Sequence, residues 1–255
     1  MEQVLEILTL QHLCFAVVIA VIAGLVKGIV GFAMPMIFVS GLSTFLSPEL
    51  ALAGLIVPTL CTNVFQALRQ GPGAAWNSVK KFWVFLVFGF LTLILGASLV
   101  RVLPMQTMLL VIGIPIVLFA FLQLAEIEVK LSGQSFRVAA GVGAFAGFMG
   151  GLSGIWGPPT VAYLTALGTN KNDHMRIQGV IYGLGAIALT LAHLGSGVLR
   201  SETLPFSLAM VPPALLGLWL GGHVFDRIDQ VVFRRATLVV LLIAGLNLVR
   251  RATMF

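Results

Sequence analysis

From Leu50 to Leu68 the chain runs nineteen residues without a charged side chain, and runs of this kind recur along its length. A helix that crosses a membrane needs about 20 largely apolar residues. Eight long apolar segments can be read, at His12–Gly41, Leu50–Leu68, Phe82–Val100, Met105–Ala125, Phe136–Gly168, Ile177–Leu199, Leu204–Val224 and Val231–Val249. Six have the length of one span. The first and fifth are longer and are interrupted by glycine and proline. Only 9% of the 255 residues are charged, against about 25% in an ordinary soluble domain. A water-soluble fold of this length could not hide so much apolar surface. The expectation is therefore an all-α, polytopic membrane protein with the lipid bilayer as its solvent. No polar stretch is long enough to add a soluble domain.

The formal net charge is +6, but the basic residues sit in short connections between apolar segments, where Lys and Arg mark the cytoplasmic side. That pattern does not describe a nucleic-acid-binding protein. Cys14 and Cys61 lie within apolar stretches and support neither a disulfide framework nor a metal site, so no cofactor is expected. Glu2 and Glu6 stand where a signal peptide would be basic, and no cleaved leader is expected.

The two interrupted segments resemble each other. Ala23, Gly24, Gly28, Gly31 and Pro35 fall on Ala146, Gly147, Gly151, Gly154 and Pro158 at a constant shift of 123 residues, and Leu95-Gly96 matches Leu220-Gly221 at nearly the same shift. The chain thus reads as a duplication, with a first transmembrane repeat over 11–125, an inter-repeat loop over 126–135 and a second repeat over 136–250. Repeats of this size are a familiar transporter architecture.

Charge decides how the repeats are oriented. If all eight segments cross once, the loop cations divide 8 to 6 between the two sides, which selects nothing. If the two Gly/Pro segments enter and leave on one side, that side holds Arg69, Lys80, Lys81, Lys130, Arg137, Lys171, Arg176, Arg227, Arg234 and Arg235. The other side then holds only Arg101, Arg200, Arg250 and Arg251. A 10-to-4 split obeys the positive-inside rule. The repeats would then be inverted, each a Gly/Pro-broken hairpin plus three spanning helices, with both termini extracytoplasmic. Each hairpin is either two short helices or a re-entrant loop.

Broken backbone at membrane depth is tolerated only where protein or a water-lined cavity covers it. Glycine permits the turn, and proline suits the first turn of a half-helix, where its missing donor would be unpaired anyway. The N-terminus of that half-helix presents free N–H groups and a positive dipole end. Gly28, Gly31 and Pro35 in one hairpin, with Gly151, Gly154 and Pro158 in the other, are therefore candidate anion-binding positions near the midplane. The plainer reading is close helix packing, for which Gly143, Gly147 and Gly151 have the spacing.

These paired glycine-rich motifs ending in proline, above all Ala146–Pro159, resemble the TauE/SafE sulfite exporter family, within the toluene sulfonate uptake permease group of bacterial transporters. The resemblance covers essentially the whole chain. It implies a multi-pass protein of the bacterial plasma (inner) membrane that carries a sulfur-containing anion such as sulfite, sulfoacetate or a related organosulfonate. It leaves open which anion, the coupling ion and export against import. A homodimer is compatible with it.

Several polar residues lie inside the apolar segments. Lys27 is in the first hairpin, where its repeat counterpart is Gly150; it contacts substrate or snorkels to an interface. Thr59, Thr62, Asn63 and Gln66 form a polar stripe at helical spacing beside Pro58, lining a path or joining helices. Gln178, Tyr182, Thr190 and His193 are within reach of one face of the sixth segment. Trp156 adjoins Pro158, and Arg176 marks a cytoplasmic helix start. The acidic residues all fall in loops or at segment ends, so a midplane cation site is not expected and an anionic substrate is. Gly151-Leu152-Ser153-Gly154 has the GxSG form of an intramembrane serine protease, with His193 as a partner base. However, Val30 occupies the serine position of the other repeat, so an enzyme is not expected. A passive anion channel is the nearer alternative to a carrier.

Overall fold

In a computed structural model of the chain, residues 9–99, 105–127, 130–153, 156–195 and 198–253 are described, and among them every regular element is a helix. Four helices are long and apolar enough to cross a membrane: Leu10–Val30, Glu49–Leu68, Leu204–Arg227 and Gln230–Ala252. A fifth candidate is the pair Pro72–Lys81 and Trp83–Gly96, bent by 74°. The chain divides into two compact units, Met1–Gly71 with Gly179–Asp229, and Pro72–Gln178 with Gln230–Phe255.

The first unit begins with α1 (Leu10–Val30), capped by the Thr9 hydroxyl, which accepts from the His12 N–H. It stops at Gly31, whose φ of +88° would be strained for a residue with Cβ and whose N–H returns to the Lys27 carbonyl at 2.7 Å. Ala33 is also left-handed, at φ +70°, and opens α2 (Met34–Leu42), with Pro35 in its first turn. The short helix folds back along α1. A methyl group on Gly41 would meet Ile19, and Phe45 beyond α2 stacks on His12 at the start of α1, with ring centroids 5.2 Å apart. The Gly/Pro segment therefore returns on itself, with its two ends close together. Its arms are unequal: 21 residues rise about 31 Å, but nine rise only about 13 Å. α1 is a full-length arm and α2 a half-length one.

Ala16, Ala20 and Ala23 leave room for Met34, Phe38 and Leu42 of α2, and the same core takes in Ala51, Leu55, Phe206, Met210 and Ala214. Ala51 and Leu55 belong to α3 (Pro48–Leu68), which contains Pro58. The broken span of α10 (Leu204–Ala209) and α11 (Val211–Arg227) completes the unit with residues from Gly179 to Gly195 of α9 (Lys171–Gly195). α1 and α11 meet backbone to backbone: a methyl on Gly24 would come to 2.2 Å of the Ala214 carbonyl oxygen, and one on Gly28 to 2.5 Å of that of Leu218.

The second unit contains α4 (Pro72–Lys81), α5 (Trp83–Leu99), α6 (Met105–Leu124), α7 (Phe136–Ser153), α8 (Gly157–Ala166), the first turns of α9 and α12 (Gln230–Ala252). Here α7 is the long arm of a hairpin and α8 the short one. Its ends meet through a 2.8 Å hydrogen bond from the Leu131 N–H to the Ala166 carbonyl. The contact of α7 with α5 repeats that of α1 with α11, because a methyl on Gly147 would come to 1.8 Å of the Gly89 carbonyl oxygen. α6 packs on α12 at Gly113 and Gly245.

Each long arm thus takes its glycine partner from the other half of the sequence. The compact units are assemblies of elements from both halves, so the duplicated stretch and the packed unit are different divisions of the chain.

Candidate functional site

Lys27 lies one helical turn before Gly31, at the tip end of α1. Its side chain is only 2% exposed. Nζ donates to the Thr62 hydroxyl at 2.9 Å and to the Asn63 side-chain oxygen. Both partners are neutral, and among the described residues no carboxylate pairs with this amine. An ammonium has three donors, so one N–H remains. Burying an ammonium with no carboxylate beside it is expensive.

The groups around it are held in place. The Thr62 hydroxyl donates to the Pro58 carbonyl at 2.7 Å, so towards Lys27 it can only accept. Asn63 is oriented from both ends, because its amide nitrogen donates to the Tyr182 carbonyl at 3.1 Å while its oxygen accepts from Lys27. A methyl on Gly183 would sit 3.8 Å from Asn63 Cβ, and one on Gly179 would meet the Gln66–Ala67 backbone at 2.4 Å. α9 therefore lies close enough to α3 to accept that bond. Gln66 donates to the Gly31 carbonyl at 3.1 Å and ties the hairpin tip to α3. Thr62 Oγ1 is also 3.5 Å from Met34 Sδ, which brings Lys27 to the start of α2.

That start is the second part of the site. Phe32, Ala33 and Met34 are buried, and their backbone N–H groups make no hydrogen bond among the described residues. Orphan donors of this kind at a helix N-terminus are an anion-binding element. Thr59, one turn before Asn63, has a buried hydroxyl with no partner among the described residues. The six described carboxylates, Glu49, Glu126, Asp173, Glu202, Asp226 and Asp229, sit in terminal helical turns or connections. Asp226 pairs with Arg69 at 2.5 Å, and Glu49 with Arg200 at 3.0 Å.

The structure thus gathers Lys27, Gly31, Asn63, Gln66 and the Tyr182 backbone into one cluster, with Pro35 at the second position of α2. Gly28 has a packing role, since it faces the backbone of α11. The Lys27 site is also nearer the hairpin tip than the middle of its helix: Cα of Lys27 is about 26 Å from the start of α1 and about 5 Å from its end. In the second unit, Pro158 is buried at the second position of α8. The Trp156 ring fills the space beside Gly150, and Gly151 is half-buried in α7. Pro158 and Pro159 deprive the first turn of α8 of two N–H donors, so its hairpin offers fewer contacts to an anion than the first. Gly154 and the side chains of Ser153 and His193 lie outside the described residues. Free backbone donors at the start of the half-helix were expected from the proline at Pro35; that Phe32, Ala33 and Met34 supply them follows from where α1 stops and α2 begins.

Long apolar helices and two Gly/Pro hairpins that return on themselves are the architecture of a polytopic membrane protein. The family described as sulfite exporter TauE/SafE matches residues 16–248, and the chain belongs to that family. Membership makes it an exporter-type membrane transporter of sulfur-containing anions. The comparisons with curated proteins and with solved structures give no match.

Proposed function

We propose that this chain is a secondary transporter of a small sulfur-containing oxyanion, such as sulfite, sulfoacetate or a related organosulfonate, across the bacterial plasma membrane. The carrying observation is Lys27, a buried amine whose hydrogen-bond partners, Thr62 and Asn63, are both neutral. The anion supplies the missing counter-charge. Its oxygens accept from Lys27 Nζ and from the N–H groups of Phe32, Ala33 and Met34. Asn63 positions the amine, and Gln66 positions the hairpin tip that carries the donors. Each charge-assisted bond to the oxyanion contributes about 1.5–3 kcal/mol.

The duplication supports a matching role for the second hairpin, which carries Trp156 and Pro158, and Tyr182 stands beside Asn63 in the first unit. The 10-to-4 charge split supports inverted repeats with both termini extracytoplasmic. Binding and release require no covalent chemistry, so the reading is of a carrier and not an enzyme. The test is counterflow of radiolabelled sulfite in proteoliposomes. Saturable uptake accelerated by sulfite inside the vesicle supports the carrier. Flux that rises linearly without trans-stimulation identifies a channel, and no flux of any sulfur oxyanion removes the proposal.

A further inference from the structure

The second unit carries an elbow that takes no part in the Lys27 site. α4 (Pro72–Lys81) meets the stretch Trp83–Gly96 of α5 at an angle of 74°. α5 is apolar along its length and has no charged side chain, so it is the arm that enters the bilayer. Membrane-crossing helices tilt by about 20° on average, which inclines α4 to the membrane normal by roughly 54–94°. α4 therefore lies nearer the membrane plane than the normal. Ser78 turns one of its faces inwards: the buried hydroxyl donates to the Ala74 carbonyl at 3.2 Å and accepts from Arg176 Nε at 2.8 Å. At the bend Phe82 is also buried, and its ring meets that of Tyr163 edge to face with centroids 6.5 Å apart. Gln134 Nε2 donates to the Lys81 carbonyl at 3.1 Å and ties the end of α4 to the residues before α7.

With Ser78 and Phe82 held inside, the opposite face is turned out. Trp76 and Trp83 are 59% and 54% exposed, and Lys80 and Lys81 are exposed between them. Lys80 Nζ lies 5.9 Å from the centroid of the Trp76 ring, one turn away. α4 contains no acidic residue. Neither lysine pairs with a carboxylate among the described residues, whereas Arg69, Arg176 and Arg235 do. Two ammonium groups and two indoles within eight consecutive residues select an occupant that is both anionic and amphipathic. Indole rings settle at the boundary between acyl chains and headgroups. A soluble anion would use the charges but leave both rings in water.

We propose that the elbow of α4 and α5 binds the phosphate headgroup of an anionic phospholipid, with Lys80 and Lys81 on the phosphate and Trp76 and Trp83 at the edge of its acyl chains. Each lysine beside an anionic membrane surface strengthens association about fivefold, so the pair contributes about 30-fold. This site is independent of anion binding at Lys27.

The test is quenching of indole fluorescence by brominated lipid. The full-length chain with Trp156→Phe and Trp219→Phe keeps Trp76 and Trp83 as its only indoles. In phosphatidylcholine vesicles it is titrated with phosphatidylglycerol or phosphatidylcholine brominated on the acyl chains. Half-quenching is expected at a fraction of brominated phosphatidylglycerol about tenfold or more below that of brominated phosphatidylcholine. Adding Lys80→Gln and Lys81→Gln, both at exposed positions, is expected to bring the two lipids within about twofold. Should the indole replacements unfold the protein, native mass spectrometry of the otherwise unaltered chain with equimolar amounts of the two lipids makes the same comparison, with and without the lysine pair. Equal association of the two lipids, or a preference that survives loss of both lysines, would overturn the proposal. A preference abolished by inorganic phosphate at constant ionic strength would also overturn it, by showing a site for a soluble anion.

Discussion

Replacing Lys27 with methionine removes the cation and keeps the apolar stem. Binding loses at least one charge-assisted hydrogen bond, about 1.5–3 kcal/mol, which weakens sulfite binding by about 10- to 150-fold. Stability responds differently. Asn63 Oδ1 loses its donor, at about 1–3 kcal/mol, but a buried ammonium with no carboxylate partner among the described residues is also removed, and that penalty is several kcal/mol. The unfolding midpoint of the substrate-free protein is therefore expected to stay constant or rise. Calorimetric titration with sulfite gives the first quantity and a detergent-solution melt the second. If Lys27→Met failed to fold, Lys27→Gln would keep a donor without the charge and is expected to show the same loss of binding. A folded variant that binds sulfite within threefold of the wild type would refute the assignment of Lys27 as the anion's counter-charge.

Three further outcomes follow from the same geometry. Asn63→Asp supplies Lys27 with a permanent counter-ion, so sulfite affinity is expected to fall at least tenfold while the substrate-free protein melts no lower; unchanged affinity in titration would contradict this. Ala33→Val forces a β-branched residue into φ +70° and should lower stability by about 1–2 kcal/mol, read as a fall in melting temperature. Gly147→Val drives a side chain into the Gly89 carbonyl at the contact of α5 and α7; overpacking of this kind costs about 1–3 kcal/mol or more and is checked by the same melt.

A last prediction concerns pH. Glu202, fully exposed, is held below the usual carboxylate range first by a hydrogen bond from its own backbone N–H and then by the Ser201 hydroxyl. A depressed carboxylate pKa contributes stability above its unfolded value and loses it as pH falls through the folded value. The melting difference between wild type and Glu202→Gln should thus be present at neutral pH and vanish in acid. A difference that grew on acidification would contradict it.

Much of the fold was legible because lipid imposes a simple code. Apolar runs such as Leu50–Leu68 had to become helices, and α3 follows that run closely. The Gly/Pro breaks at Gly31 and Pro35 also had to be turns, since one demands a left-handed backbone and the other a first helical turn. Lys27 stood out because charge at that depth needs a reason. The unequal lengths of α1 and α2 were harder to read, because the stretch Ser40-Gly41-Leu42-Ser43 suits the end of a helix and the connection that follows equally well. The pairing of α1 with α11, from opposite halves, was also hidden. Periodicity reports that Gly24 and Gly28 share a face, but not that Ala214 and Leu218 lie beneath it. The partners of Lys27 were half visible: Thr62 and Asn63 were in the stripe, yet only folding decides that Asn63 turns its nitrogen to Tyr182 and its oxygen to the amine.

The measurement that tests the central claim most directly is the location of a bound anion. Selenite is a heavier analogue of sulfite whose anomalous scattering identifies it in crystals of the full chain. A selenium peak within hydrogen-bonding reach of Lys27 Nζ and the N–H groups of Phe32–Met34, absent in Lys27→Met, is the expected result. A peak elsewhere in the protein, or one that survives the loss of Lys27, would contradict the account.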